Sequence, residues 1–137
     1  MEIIPIDEDG FHCFVDIQIE NGVKARMLLD TGAAKTVFDI NFLKQNKIES
    51  KFTKQKQDNF DLEDKKKNEI FFTELDIKIG ENEYPEFYTE LIDLSPINLF
   101  YKAIEIPEIQ GTIGNDLLYY FDAVIDFENE KLTVKGY

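Results

Sequence analysis

Apolar and polar residues alternate along much of the chain, which is the period-two pattern of half-buried β-strands. The pattern is clearest over residues 11–20. One face of this stretch carries the apolar side chains of Cys13, Val15, Ile17 and Ile19. Asn21-Gly22 follows, and this dipeptide is a strong signal for a two-residue hairpin turn. Because the alternation resumes over residues 23–29, we predict a β-hairpin that ends at residue 29.

The rest of the chain continues in short strands. They are predicted at residues 35–38, 70–79, 84–94, 123–127 and 132–135. No internal repeat is visible, and the strands lack the long helical stretches that would place them in parallel β-α-β units. The sequence therefore predicts one all-β domain that spans residues 1–137.

Two short helices are expected between the strands. Residues 39–46 begin with Asp39, which suits the N-cap position. Residues 115–121 have helix length, and Asn115 or Asp116 can cap that helix.

Two longer segments show neither period. Residues 47–69 carry many charges of both signs and contain no glycine or proline, which indicates an exposed loop or hairpin. Residues 95–107 are apolar and are expected to form an irregular connection. Within it, Leu99-Phe100-Tyr101 is expected to pack in the core, with a contact at a cleft or in a dimer as the alternative.

The composition narrows the class of partner. The chain has 137 residues, enough for one sizeable core, and a formal net charge of −13 with a pI of about 4.4. Nucleic acid is not expected as a partner, because phosphate binding requires a basic face. An anionic membrane surface would repel the chain, and no apolar stretch reaches the roughly eighteen residues of a membrane span.

Three further features concern location and metal binding. The first ten residues are acidic and lack the basic start and apolar core of a signal peptide. The location is therefore expected to be cytoplasmic if the chain is full length, or outside the cell if a leader was trimmed. Cys13 is the only cysteine, so no internal disulfide can form. His12 is the only histidine and has no second ligand at metal-binding spacing, so we expect a surface residue and no metal site.

One carboxylate has an unusual place in the sequence. Residues 28–33, LLDTGA, set Asp30 directly after a buried strand. A desolvated carboxylate is costly unless it is paired or hydrogen-bonded. Gly32 allows a sharp turn and a close approach of another group, and the Thr31 hydroxyl can bond to backbone. The tripeptide Asp-Thr-Gly alone is equally compatible with an ordinary turn.

A second motif changes that balance. Residues 111–118, GTIGNDLL, precede the apolar run 123–127. Together these motifs resemble those of the retropepsin-like aspartic proteases, which include the retroviral enzymes and related bacterial and cellular domains. The resemblance covers residues 11–45 and 70–136, and it implies a closed acid-protease barrel of short strands with Asp30 as the catalytic residue. It also implies supporting residues, which are Thr31, Gly32 and Ala33 in the loop and Gly114, Asn115 and Asp116 in the second motif.

The implied chemistry needs two carboxylates that share a proton. One activates water as a general base, and the other donates a proton to the carbonyl oxygen. The chain contains one Asp-Thr-Gly, and the other candidates, Asp39, Asp93, Asp122 and Asp126, lack its context. The resemblance therefore implies an aspartic endopeptidase that acts as a homodimer on a peptide or protein substrate, with Asp30 of each chain meeting at the two-fold axis. It implies no metal or organic cofactor.

The sequence departs from the retroviral pattern at three places. In retroviral enzymes, an Asp after the loop Ala pairs with an Arg after the later Gly. Here these positions hold Ala34 and Asn115, so both charged partners are replaced together, which favours the bacterial and cellular branch. Residues 47–69 take the place of the flap that closes over peptide, but they lack the glycines usual at its tip.

Two other functions remain open. The first is a catalytically silent retropepsin-like module that binds a partner or dimerises. The second is a small acidic β-domain in which Asp-Thr-Gly is merely a turn. A dimer would carry a formal charge of 2 × (−13) = −26. Self-repulsion therefore predicts tighter dimers and higher activity at mildly acidic pH than at neutral pH.

Overall fold

The computed structural model describes residues 1–49, 52–56 and 69–136. The strands of this part are β1 (Glu2–Pro5), β2 (Phe11–Ile19), β3 (Val23–Leu29), β4 (Val37–Asp39), β5 (Thr53–Lys56), β6 (Glu69–Ile79), β7 (Asn82–Ile92), β8 (Gly111–Ile113), β9 (Val124–Asp126) and β10 (Lys131–Thr133). The helices are α1 (Ile40–Gln45), α2 (Ser95–Ala103) and α3 (Asn115–Tyr120). Among the described residues, no helix has the length and apolar character needed to cross a lipid bilayer.

Eight of the strands form one sheet in the order β1-β2-β3-β8-β4-β7-β6-β5. One further pairing sets Gln18 of β2 opposite Lys78 of β6. This pairing joins two distant strands of the sheet, which therefore curls towards a closed barrel. β9 and β10 form a separate antiparallel pair. The predicted all-β class is confirmed, although the described residues contain three short helices where two were expected.

The predicted hairpin of β2 and β3 is confirmed, with Phe14 opposite Leu28 at one end of the described pairing. Its turn is one residue longer than the two-residue prediction, because Glu20–Gly22 form a single 3-10 turn. Asn21 and Gly22 have φ values of 59° and 77°. These two residue types enter the left-handed region most readily, so the dipeptide marked the turn but not its length.

The barrel interior contains the main core. Its members include Ile17 and Ile19 of β2 and Leu75, Ile77 and Ile79 of β6, as the alternation predicted. Cys13 and Val15, on the same predicted face of β2, are only half-buried. Full burial on this face of β2 is therefore limited to the half of the strand nearer the hairpin turn, whereas the sequence pattern predicted it along the whole strand.

The segment 95–107 differs from its prediction, because Ser95–Ala103 form α2 rather than an irregular connection. A proline lies in its first turn, where the missing N–H costs nothing. The Asp93 carboxylate accepts hydrogen bonds from the Ser95 amide (2.9 Å) and hydroxyl (2.6 Å). The amide and hydroxyl of the first helical residue thus have an acceptor outside the helix, which stabilises the start of α2.

α2 covers the face of β2 and β3 that points away from the barrel interior. Phe14, Leu28 and Tyr101 pack there in a second apolar cluster. His12 also belongs to this face, since its Nδ1 lies 2.8 Å from the Tyr101 hydroxyl. The prediction of a surface histidine was wrong, because the unpredicted helix half-buries the ring. The core packing expected for Tyr101 is confirmed, whereas Leu99 is 68% exposed.

The two other helices lie close to their predicted places. Asp39 caps α1 by accepting a hydrogen bond from the Asn41 amide at 3.3 Å. The N-cap residue of α3 is Gly114 rather than Asn115 or Asp116. The predicted caps were wrong because both side chains reach the neighbouring loop instead.

Part of the predicted flap can be described. β5 pairs antiparallel with β6, with Thr53 opposite Phe72. Residues 50–51 and 57–68 lie outside the described residues. The proposed tip of the flap is therefore not among the described residues.

Candidate active site

Asp30 follows the last residue of β3, where two neighbouring strands end together. β3 runs parallel to β8, with Leu29 opposite Ile113. The Asp30 amide donates to the Ile113 carbonyl oxygen at 3.0 Å, which extends this pairing by one residue. The backbone of Asp30 is thus held by the sheet, while its side chain is half-buried at the sheet's end.

The loop after Asp30 is a tight turn that fixes the carboxylate. The Ala33 amide donates to the Asp30 carbonyl oxygen at 3.1 Å, and the Gly32 amide donates to Asp30 Oδ1 at 3.0 Å. A Cβ at Gly32 would lie 3.2 Å from that same Oδ1. Glycine therefore lets the amide approach the carboxylate without crowding it.

The second motif packs directly against this loop. The Asn115 amide donates to the Ala33 carbonyl oxygen, and Asn115 Nδ2 donates to the Thr31 carbonyl oxygen, both at 2.9 Å. At Gly114, a Cβ would lie 2.5 Å from a backbone carbon of Lys35. No side chain fits at Gly114, so the two motifs can approach only with glycine there. Asn115 provides a neutral link between the motifs where the retroviral pattern has a charged pair.

Thr36 and Asp116 form a second, buried link between the motifs. Thr36 is 1% exposed, and its hydroxyl donates to Asp116 Oδ1 at 2.6 Å. The Thr36 amide donates to the same carboxylate oxygen at 2.9 Å. In turn, the Gly114 amide donates to the Thr36 hydroxyl at 2.9 Å. Sequence reasoning missed Thr36, since a threonine inside a short strand is ordinary, and its partner is distant in sequence.

The structure brings together all of the predicted site residues. Thr31, Gly32 and Ala33 form the turn beside Asp30, and Gly114, Asn115 and Asp116 lie behind it. Among the described residues, no hydrogen bond joins Asp30 to another carboxylate. In the same part of the chain, no three His, Cys, Asp or Glu side chains are placed to hold a metal ion.

An aromatic residue that the sequence did not assign to the site also lies near Asp30. Burial raises the pKa of Tyr101 to about 12, the Arg26 charge opposes that rise, and the Asp30 charge adds to it. The Tyr101 hydroxyl is therefore within electrostatic reach of the Asp30 carboxylate. Tyr101 was expected in the core, and because α2 was not predicted, its position relative to Asp30 could not be foreseen.

A shallow apolar cavity of about 380 Å³ adjoins the Asp30 loop. Its lining residues are Thr31, Asn115, Leu118, Tyr119, Ala123 and Ile125. Tyr119 is 86% exposed, and Val124 and Phe127 of the following segment are 56% and 64% exposed. An apolar surface of this kind beside a loop is typical of a contact with another molecule.

Several solved structures have a backbone similar to that of this chain, including the following three. The retroviral protease-like domain of Ddi1 from Leishmania major gives a TM-score of 0.60 at 14% identity, covering 90% of this chain and 87% of that chain. A retropepsin-like aspartic protease from Rickettsia conorii gives 0.59 at 18% identity, covering 96% and 86%. The EIAV protease, in complex with the inhibitor HBY-793, gives 0.50 at 18% identity, covering 93% and 98%.

No protein-family model matches the sequence, and neither does any curated protein sequence. The similarity is thus one of backbone architecture over nearly the whole chain, at 14–18% identity. It agrees with the resemblance that the two sequence motifs carry. The chain has the retropepsin-like fold.

Proposed function

We propose that this chain is an aspartic endopeptidase that acts as a homodimer and hydrolyses peptide bonds with a water activated by Asp30 of each protomer. The observation that carries the proposal is the Asp30 loop in a chain with the retropepsin-like fold. The loop holds one carboxylate at a strand end and is fixed to the second motif through Asn115 and Thr36.

The hydrogen bonds of Asp30 fit this role. Its Oδ1 accepts from the Gly32 amide at 3.0 Å, which fixes the orientation of the carboxylate. Among the described residues, no hydrogen bond involves Oδ2. That oxygen is therefore free to contact water or a second carboxylate. A deprotonated Asp30 would take a proton from water, while a protonated partner would donate to the substrate carbonyl oxygen.

The second carboxylate must come from another copy of the chain, because no described residue supplies one at Asp30. The apolar cavity beside the loop supports this arrangement. Thr31 and Asn115 belong to both the loop and the cavity, and the exposed Tyr119 continues the same surface. A two-fold contact there would cover apolar surface and bring two Asp30 loops together.

Sedimentation equilibrium at pH 5 and pH 7.5, over a range of concentrations, tests the dimer. We expect a dimer whose dissociation constant is lower at pH 5, because protonation of carboxylates reduces a formal charge of −13 per chain. A strict monomer at every concentration and at both pH values would contradict the proposal, because the second carboxylate would then be missing.

Cleavage of oxidised insulin B chain, followed by mass spectrometry, tests the chemistry. Asp30→Asn should lower the rate by about 100-fold or more, since it removes a general base. Asp16→Asn is the matched control, because Asp16 is a surface carboxylate paired with Lys24. Equal cleavage by both variants would refute the assignment of Asp30. A dimer that cleaves nothing would favour a catalytically silent binding module.

A further inference from the structure

His12 lies near the start of β2, the strand that pairs with the one leading into Asp30. β2 and β3 are antiparallel, with Phe14 opposite Leu28. That pair is the last one of the ladder, and its register, extended by two residues, would bring His12 of β2 next to Asp30. Side chains two residues apart on a strand share a face. His12 therefore shares with Phe14 the side of the sheet under α2, where it meets Tyr101, and the Asp30 charge acts on the same Tyr101 phenol.

Tyr101 of α2 holds the His12 ring in place. Its hydroxyl oxygen lies 2.8 Å from His12 Nδ1, and the two rings meet edge to face with centroids 5.8 Å apart. Tyr101 is fully buried, whereas His12 is half-buried. The imidazole is therefore held at its Nδ1 edge, while the residue as a whole keeps some exposure to solvent.

The burial of Tyr101 favours one tautomer of His12. If the tyrosine O–H donates to Nδ1, its hydrogen is satisfied and the histidine carries a hydrogen on Nε2. In the reverse arrangement, the hydroxyl hydrogen would be buried without an acceptor among the described residues, which is costly. The first arrangement is thus the stable one. It leaves an N–H donor on Nε2 that makes no hydrogen bond within the described part of the chain.

We propose that His12 is a substrate-binding residue of the Asp30 site, with Tyr101 as its positioning residue. The Nε2–H group donates a hydrogen bond to an acceptor oxygen of the bound peptide next to the scissile bond. This inference rests on the proposed function, because it requires that peptide lies across Asp30. The donor depends on two elements of this chain, because β2 carries His12 and α2 carries the Tyr101 that orients it.

Steady-state cleavage of oxidised insulin B chain by His12 variants separates this role from a structural one. His12→Gln keeps an N–H group near the place of Nε2, whereas His12→Asn keeps only a group near the place of Nδ1. For His12→Gln we expect a KM between that of wild type and that of His12→Asn, because Gln keeps the donor but loses the contact with Tyr101. For His12→Asn and His12→Phe we expect a KM raised about 5- to 10-fold, with kcat little changed. If His12 merely supported Tyr101, Asn would substitute better than Gln, which would overturn the proposal.

Tyr101→Phe frees the ring and should also raise KM, while Asp16→Asn, a change at a surface carboxylate, should leave KM unchanged. Circular dichroism melts establish that each variant is folded. If Tyr101→Phe is too unstable to assay, the Gln and Asn pair still decides the question.

Nitrogen-15 NMR of the single histidine gives a readout that needs no cleavage. In the free Asp30→Asn protein we expect the Nε2–H tautomer, and in Tyr101→Phe a mixture of tautomers. Oxidised insulin B chain added to Asp30→Asn should shift the Nε2 signal. Cleavage by wild type without such a shift would overturn the role of His12 alone. A shift without cleavage by wild type would instead refute the proposed function alone, and no binding at all would refute both.

Discussion

Replacing Thr36 by valine tests the buried link between the two motifs. Valine has nearly the shape of threonine but lacks the hydroxyl. The change removes the hydrogen bond from Oγ1 to Asp116 Oδ1, which is 2.6 Å long, and the acceptor for the Gly114 amide at 2.9 Å. The Asp116 carboxylate keeps the amides of Thr36 and Leu117 as donors. The perturbation is therefore confined to one buried oxygen atom.

Two terms set the size of the effect. A hydrogen bond to a charged group contributes about 1.5–3 kcal/mol, and a buried amide left without an acceptor costs about 1–3 kcal/mol. Such terms are not fully additive for groups in contact, so we expect a loss of about 3 kcal/mol in the free energy of unfolding. Thr89→Val is the matched control. Thr89 is 2% exposed, and its hydroxyl donates to the Thr36 carbonyl oxygen at 3.0 Å, a neutral bond worth about 1 kcal/mol.

Urea unfolding followed by circular dichroism measures both variants. With an m-value of about 1.5 kcal/mol per molar urea, the midpoint should fall by about 2 M for Thr36→Val and by about 0.7 M for Thr89→Val. Thr36→Ser keeps the hydroxyl and should lie much closer to wild type than Thr36→Val. A midpoint for Thr36→Val no lower than that of Thr89→Val would refute the reasoning, because the link would then contribute no more than an ordinary buried hydroxyl.

Three further predictions concern packing and pH. Gly114→Ala should lower the free energy of unfolding by about 3 kcal/mol or more, because the new Cβ would lie 2.5 Å from backbone. Gly32→Ala should lower it less, because its Cβ would meet only a carboxylate oxygen, at 3.2 Å, and thermal melts compare the two variants. Burial chiefly raises the pKa of Tyr101 to about 12, so its contribution to stability is complete below pH 10 and is lost as the pH rises towards 12. Ultraviolet titration should show one late-ionising phenol, which Tyr101→Phe removes. The hydrogen bond from the Ser95 side chain lowers the pKa of Asp93, so the advantage of wild type over Asp93→Ala should shrink as the pH falls below 3.8, measured by melts across that range.

Each of these predictions has a contrary result. Equal melting temperatures for the two glycine variants would show that the backbone at Gly114 can move aside. An unchanged phenol titration in Tyr101→Phe would place the late-ionising group elsewhere. A wild-type advantage over Asp93→Ala that stays constant through acid pH would mean that the α2 start does not depend on the ionised carboxylate.

The Asp30 loop could be predicted from the sequence because its residue types carry its geometry. Gly32 and Gly114 stand where a Cβ would crowd a carboxylate or a backbone, so the glycines themselves record the close approach. Asn115 was assigned to the second motif, and its side chain does reach the loop, at the Thr31 carbonyl oxygen. In such a motif, local sequence and tertiary contact specify the same structure.

Helix α2 could not be predicted because a polar residue interrupts its apolar period. Asn98 is 9% exposed, and its side chain bonds to the backbone of Ile109. Its Oδ1 accepts from the Ile109 amide at 2.9 Å, and its Nδ2 donates to the Ile109 carbonyl oxygen at 3.0 Å. A buried asparagine satisfied in this way is invisible to a hydrophobicity pattern, since the pattern scores it as exposed. The prediction of a surface position for His12 was wrong for the same reason, because the environment of His12 depends on Tyr101 of that helix.

The sheet order has a consequence for how the protein is made. β8, residues 111–113, lies between β3 and β4, so the Asp30 loop gains its neighbours only after most of the chain has left the ribosome. Until then the Asp30 amide lacks the Ile113 carbonyl oxygen, and Thr36 lacks Asp116. Contacts between residues so far apart in sequence form slowly, because closing a long loop costs entropy before the contacts compensate for it. A nascent or C-terminally truncated chain would therefore carry the Asp-Thr-Gly sequence without an assembled site. The site would form only once β8 and α3 have been synthesised and have folded onto the loop.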